Sequence, residues 1–154
     1  KACQAALAAA AATGSVRLFS VRREFPNAWA AFMAADTSKD KALVRVQLRT
    51  AHFPAWLTGA KKRKMTYAVE HAVLIAQLAS DAPTGELCVY GSPNADASEM
   101  VKLLPNAALG GLPSCDLCGH EMVGDNPFDA IDLYFESNSL DDLWLAIGVS
   151  ATAK

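Results

Sequence analysis

The sequence predicts a mainly β domain: an antiparallel β-sandwich with a short N-terminal helix and one short helical turn over the sheet. Two phrases share one grammar, Arg23-Glu24-Phe25-Pro26-Asn27-Ala28-Trp29 and Ala51-His52-Phe53-Pro54-Ala55-Trp56, and each follows an alternating segment. Proline fixes φ and removes a donor, so Phe-Pro closes a strand and the Trp just beyond it folds back as a plug. The second observation is period-2 alternation in short segments separated by Gly, Pro, Asn and Asp turns. The third is how little helix lies between those segments, since a parallel sheet needs crossover helices.

Lys1 to Ala12 is nearly all Ala, with Gln4 and Leu7, and Thr13-Gly14 ends it with a C-terminal glycine, so residues 1–14 read as a helical lead-in or linker. Residues 15–154 form the sandwich domain. From Ser15 to Val21, Val16 and Leu18 share one face of a half-buried strand and Arg17 takes the other. Asn27 to Ala35 sets Trp29, Phe32 and Met33 at helical spacing, and 36–40 is a loop. Val44, Val46 and Leu48 alternate with Arg45, Gln47 and Arg49.

Lys64 to Leu78 reads as a long strand with Met65, Tyr67, Val69, His71, Val73 and Ile75 on one face, although its Ala and Leu content also permits a helix. After the Ala82-Pro83-Thr84-Gly85 turn, Leu87 to Tyr90 is a short strand closed by Gly91-Ser92-Pro93-Asn94. Ile131, Leu133 and Phe135 alternate with Asp132 and Tyr134. The last strand sets Leu143, Leu145, Ile147 and Val149 against Trp144, Ala146, Gly148 and Ser150.

At 154 residues the chain supplies one domain. A net charge of −2 and a single four-residue basic run, Lys61 to Lys64, offer no field for gathering phosphates, so nucleic acid is not an expected partner. No stretch approaches the ~20 apolar residues of a membrane span. Nor does the Ala-rich opening have the core and cleavage site of a signal peptide.

Cys115-Asp116-Leu117-Cys118-Gly119-His120 is the sharpest chemical signal, because two thiolates two residues apart before a Gly can share one Zn²⁺. His120 is the candidate third ligand, and Cys88, His52 or His71 the fourth. A small zinc-stabilised binding module is therefore one alternative function, and two semi-buried loop cysteines the plainer account. A redox pair would need a helix directly after it, and Gly119 to Pro127 does not read as one. His120-Glu121 lacks the second His of the zinc-protease helix, since Gly124 stands there. No nucleophile elbow or phosphate-binding glycine loop occurs. Asp141-Asp142 and Asp129/Asp132 read as solvated charges, because sequential strand residues point to opposite faces. Core packing is the reading for Trp29, Trp56 and Trp144, with a sugar platform as the alternative.

Leu18 to Trp29, Phe53-Pro54-Ala55-Trp56-Leu57, Leu109-Gly110-Gly111-Leu112-Pro113 and Asp141 to Ile147 together resemble, in order and spacing, the C-terminal β-sandwich region of A-component-like proteins of the bacterial Tc (insecticidal toxin complex) family, often labelled neuraminidase-like. The resemblance spans roughly residues 15 to 150 and rests on short structural motifs. It implies a non-catalytic recognition or docking module that binds a partner protein, receptor or cell-surface glycan. It also implies secretion or display at the bacterial surface, within a larger homo-oligomeric assembly. The family supplies no catalytic residues, and its label makes a glycosidase-type enzyme the further alternative. The expected contacts are Arg22 and Arg23 at the rim, with Trp29 and Trp56. No cofactor is expected unless zinc sits on Cys115, Cys118 and His120.

Overall fold

The computed structural model of the chain describes residues 14–58, 64–94 and 100–153. The helix expected over residues 1–12, Cys3 and the basic run up to Arg63 lie outside the described residues. The eight strands among the described residues are β1 (Ser15–Ser20), β2 (Ala42–Val46), β3 (Met65–Leu78), β4 (Leu87–Tyr90), β5 (Met100–Asn106), β6 (Leu112–Asp116), β7 (Ile131–Phe135) and β8 (Leu140–Ala153). They form one antiparallel sheet in the order β1-β8-β3-β6-β5-β4-β7-β2. Among the described residues three short helices, α1 (Val21–Glu24), α2 (Pro26–Ala34) and α3 (Ala55–Thr58), sit in the connections after β1 and β2.

The fold is mainly β and antiparallel, as the alternation predicts. Its strands form a single curled sheet, and β5 makes the curl: Met100 to Leu103 pair with β4, then Leu104 to Asn106 pair with β6. One buried cluster draws Phe19, Leu74, Leu145 and Ile147 from one half and Val44, Val89, Leu133 and Phe135 from the other. Burying these side chains against a common centre is the main stabilising term, about 1.5–3 kcal/mol for each large residue.

β5 and β6 have no counterpart among the strands expected from the sequence. Pro105 and Pro113 hid them, since a proline argues against a central strand. The two prolines stand opposite each other in the register. β5 pairs with β4 only as far as Leu103, and β6 pairs with β3 only from Ser114, so neither proline displaces a donor from a second ladder. The Leu109-Gly110-Gly111 turn between them puts both glycines at positive φ, +67° and +86°.

β3 is one strand of 14 residues, but its six expected face-mates do not share a face. Val69 pairs with Val149 and His71 with Gly148, so Glu70 is an extra residue, a β-bulge that inverts the parity. Before it, Met65, Tyr67 and Val69 pack against the core; after it, Ala72, Leu74 and Ala76 are buried and His71 and Val73 face outward. The bulge is secured: the Ser150 hydroxyl donates to the Glu70 carboxylate (2.6 Å), and Val69 N–H donates to the Asp125 carbonyl (3.1 Å).

The two Phe-Pro phrases begin helices instead of simply closing strands. Pro26 is the first residue of α2, and Pro54 immediately precedes α3, where a missing N–H costs nothing. A helical turn intervenes between strand and Phe in both, α1 in one case and a 3₁₀ turn over Thr50–His52 in the other. Both phenylalanines converge on Phe19 of β1, with ring centroids 6.0 Å (Phe25) and 6.1 Å (Phe53) away. His52 lies edge-on to Phe19 at 5.6 Å. The plug of the second phrase is Phe53 with Leu57, while Trp56 is 38% exposed and is not a core plug. Trp29 is half-buried beside Phe32 at 5.4 Å.

Candidate functional site

β1 is the strand whose side chains run against expectation. Phe19 and Val21 are fully buried, and this draws Arg17, on the same face as Phe19, inward and turns Val16 and Leu18 outward. Arg17 is accommodated there: it stacks over the Phe19 ring (4.6 Å), donates to the Glu24 carboxylate (2.7 Å) and donates to the His52 carbonyl. Burial, and then the Arg17 cation, hold His52 below the usual imidazole range. Its Nδ1 accepts the Arg49 backbone N–H (2.8 Å). The cation thus closes a corner of the core, and the aliphatic pair is left in solvent, Val16 at 65% and Leu18 at 56% exposure.

The register shows what surrounds that pair. Val16 stands beside Gly148 and His71, Leu18 beside Ala146 and Val73, and Ser20 beside Trp144 and Ile75. On this outer face of β1, β8 and β3, from the Val16 row to the Ser20 row, His71 is the one ionisable side chain. Gly148 is required by close approach: a Cβ there would meet His71 Cδ2 at 2.9 Å and Val16 Cγ2 at 3.3 Å. Beyond β6, Leu104 on the same face is 60% exposed. Each of these aliphatics forgoes much of the ~1.5–3 kcal/mol that burial would provide.

Arg22 and Arg23 border this face at its Ser20 end. Arg22 donates to the Asp141 carbonyl (3.0 Å), while Arg23 is exposed. Asp142, expected as a solvated charge, is buried: it accepts from the Ser20 hydroxyl (2.7 Å) and from the backbone N–H groups of Arg22 (3.2 Å) and Leu143 (2.7 Å), so it caps α1 from β8. Trp29 and Trp56 do not join the face. Trp29 packs over the far half of the core through Phe32, whose ring meets Phe135 of β7 at 5.7 Å, and Trp56 lies on α3.

Cys115, expected in a loop, lies on β6 with its side chain in the core beside the Leu74 rung, and burial pushes its thiol up to about 12. Cys118 occupies the turn that follows, where its thiol donates to the Glu70 carbonyl at the bulge (3.6 Å), and His120 is exposed. Leu117 N–H donates to the Ala72 carbonyl (2.7 Å), so this turn is tied along β3. Cys88, Cys115 and Cys118 are free thiols. Among the described residues no three His, Cys, Asp or Glu side chains converge as a metal site requires.

A groove of about 350 Å³ lies between Arg45 of β2, Gln47 and Arg49 just beyond that strand, and the start of α2. Its charges are largely engaged: Arg45 forms a two-pronged pair with Asp132 (2.7 Å each) and Glu24 accepts from Arg17. A second groove of about 250 Å³ holds Glu86 and Glu136, which accept from Lys102 (2.7 Å) and the Tyr90 hydroxyl (2.9 Å).

Among the described residues no helix is long and apolar enough to cross a membrane. No known protein family, curated protein or solved structure matches the chain.

Proposed function

We propose that this domain is a non-catalytic recognition or docking module whose contact surface is the outer face of β1, β8 and β3. The observation that carries the reading is the inversion of β1, which turns an arginine toward the core and two aliphatic residues into solvent. An ordinary solvated sheet alternates the other way, hydrophobic in and polar out. The partner is a protein surface with apolar side chains of its own, and Arg22 and Arg23 supply polar contacts at the rim. The carboxylates of both grooves are already held by donors, which favours binding over acid–base work. Placement of the module in a Tc-toxin-like A component rests on the sequence phrases alone.

The test is a titration with an apolar fluorescent dye, anilinonaphthalene sulfonate, monitored alongside melting. Leu18→Glu is expected to weaken dye binding several-fold and leave the melting temperature nearly unchanged. Dye binding that is indifferent to Leu18→Glu would exclude this face as the contact surface.

A further inference from the structure

β1 is a terminal strand, and its register with β8 runs unbroken from Ser15 to Ser20. In an antiparallel ladder alternate residues turn both main-chain groups toward the same neighbour. Two observations fix which residues of β1 turn which way. The Ala72 carbonyl accepts from Leu117 on the β6 side, so Val73 faces β8, its partner Ala146 faces β3, and Ile147 faces β1. Arg17, opposite Ile147, therefore bonds to β8, while Val16, Leu18 and Ser20 turn their N–H and C=O groups away from it. The Ser20 N–H agrees, since it donates to the Glu24 carboxylate (3.0 Å) on that open side.

A terminal strand is ordinarily blunted by an outward charge, a proline or a bulge. β1 has none of these: its charged residue, Arg17, is turned inward over Phe19, and its exposed outer side chains are Val16 and Leu18. Glu24 closes the Ser20 rung and α1 begins beyond it, which leaves the Val16 and Leu18 rungs. Among the described residues no strand pairs with that side of β1. We infer that β1 accepts an extended segment of the partner as an added antiparallel strand, hydrogen-bonded to the N–H and C=O groups of Val16 and Leu18. The inference rests on the reading of the β1, β8 and β3 face as the contact surface.

The pleat specifies the segment. Directly paired residues share a face, so the partner residues opposite Val16 and Leu18 extend the apolar surface and are aliphatic. The residue between them stands beside the Arg17–Glu24 pair (2.7 Å), where a cation meets Arg17 and an anion meets Glu24, so it is polar and uncharged. A second copy of β1 is the poorer occupant. Pairing Val16 with Leu18 of the other copy sets two Arg17 side chains directly opposite, a destabilising arrangement of like charges. Moving the register by one rung brings in Ser20, whose N–H is taken, or Gly14, whose φ of +87° leaves the extended region.

The probe is a peptide blocked at both ends, Ser-Thr-Val-Thr-Val-Thr-Ser, titrated to millimolar concentration into the full chain and followed by amide NMR. The Val16 and Leu18 amide protons are expected to move downfield together while that of Leu104 on β5 stays in place. N-methylation of the two peptide valines, whose N–H groups face β1, is expected to weaken binding at least several-fold, and N-methylation of the threonine between them to leave it within two-fold. Val16→Pro removes a donor that β8 does not use and is expected to weaken binding several-fold at a nearly unchanged melting temperature. Val16 and Leu18 amides that do not move overturn the added strand, as does an equal loss with both methylated peptides on the unaltered chain. Shifts of the same amides that grow with protein concentration in the absence of peptide overturn it in favour of a second copy. The contact face fails separately, if dye binding is indifferent to Leu18→Glu; a dye response without peptide binding removes the added strand alone.

Discussion

Leu18 and Phe19 are adjacent on one strand, and the parity of β1 requires their truncations to differ sharply. Phe19 is fully buried, with three aromatic neighbours at 5.6 to 6.1 Å and the Arg17 guanidinium 4.6 Å from its ring. Phe→Ala in a core costs about 3–5 kcal/mol. Because Phe25, Phe53 and His52 lose their shared centre and Arg17 its ring, Phe19→Ala belongs at the upper end, about 4–5 kcal/mol. Leu18 is 56% exposed, so less than half of its ~1.5–3 kcal/mol is realised in the domain and Leu18→Ala should cost about 1 kcal/mol or less. At about 2–4 °C per kcal/mol for a chain of this size, the melting temperature falls by about 8–20 °C for Phe19→Ala and by about 4 °C or less for Leu18→Ala. Urea unfolding of both variants reads the difference as a shift in midpoint at constant slope. Equal losses, or a larger loss at Leu18, would refute the inverted strand and with it the apolar face.

Asn138 donates from its side-chain amide to the carbonyls of Phe32, Met33 and Ala35 at 3.0 to 3.2 Å, closing the C-terminus of α2. Asn138→Ala should cost about 1–3 kcal/mol, and Asn138→Asp more, because a carboxylate presents acceptors to acceptors; thermal melts of both check it. Cys115, with its thiol raised to about 12, should resist iodoacetamide at pH 8 in the native chain and react once urea unfolds it, as read by mass spectrometry of the labelled peptides. The Arg45 hydrogen bonds hold the Asp132 carboxyl below its ordinary value. A depressed folded pKa contributes stability that is present above the unfolded value, about 3.9, and is lost as pH falls through the folded one. Melting at stepped pH should therefore show an acid limb below about pH 4 that is shallower in Asp132→Asn.

Strands that alternate on both sides of the pleat were legible from the residues. β2, β7 and β8 from Leu143 onward each carry their inward aliphatics at period 2, and α2 carries Phe32 inward at the helical spacing expected. Two devices escaped. A β-bulge has no residue signature of its own, so Glu70 looked like one more polar position and the whole of β3 was assigned a single face. Pro105 and Pro113 carried a real signal against strands. What cancels it is their mutual pairing at a place where neither strand has a second partner, and that is a property of the tertiary ladder.

The same limit governs the site. Arg17 between Val16 and Leu18 is the local pattern of a strand with aliphatics inward, and the strand obeys the pattern only if nothing downstream outweighs it. Phe19 and Val21 outweigh it, since two fully buried side chains on one parity are worth more than Val16 and Leu18 on the other. The choice is affordable because the Glu24 carboxylate and the His52 carbonyl are already in place to receive the guanidinium, the latter carried there by the second Phe-Pro corner 35 residues away. An isolated arginine on that face would face a desolvation cost larger than the aliphatic gain. The aromatic corner and the apolar face are therefore one decision: the contacts that let Arg17 turn inward are those that leave Val16 and Leu18 outside, available to whatever seats on β1.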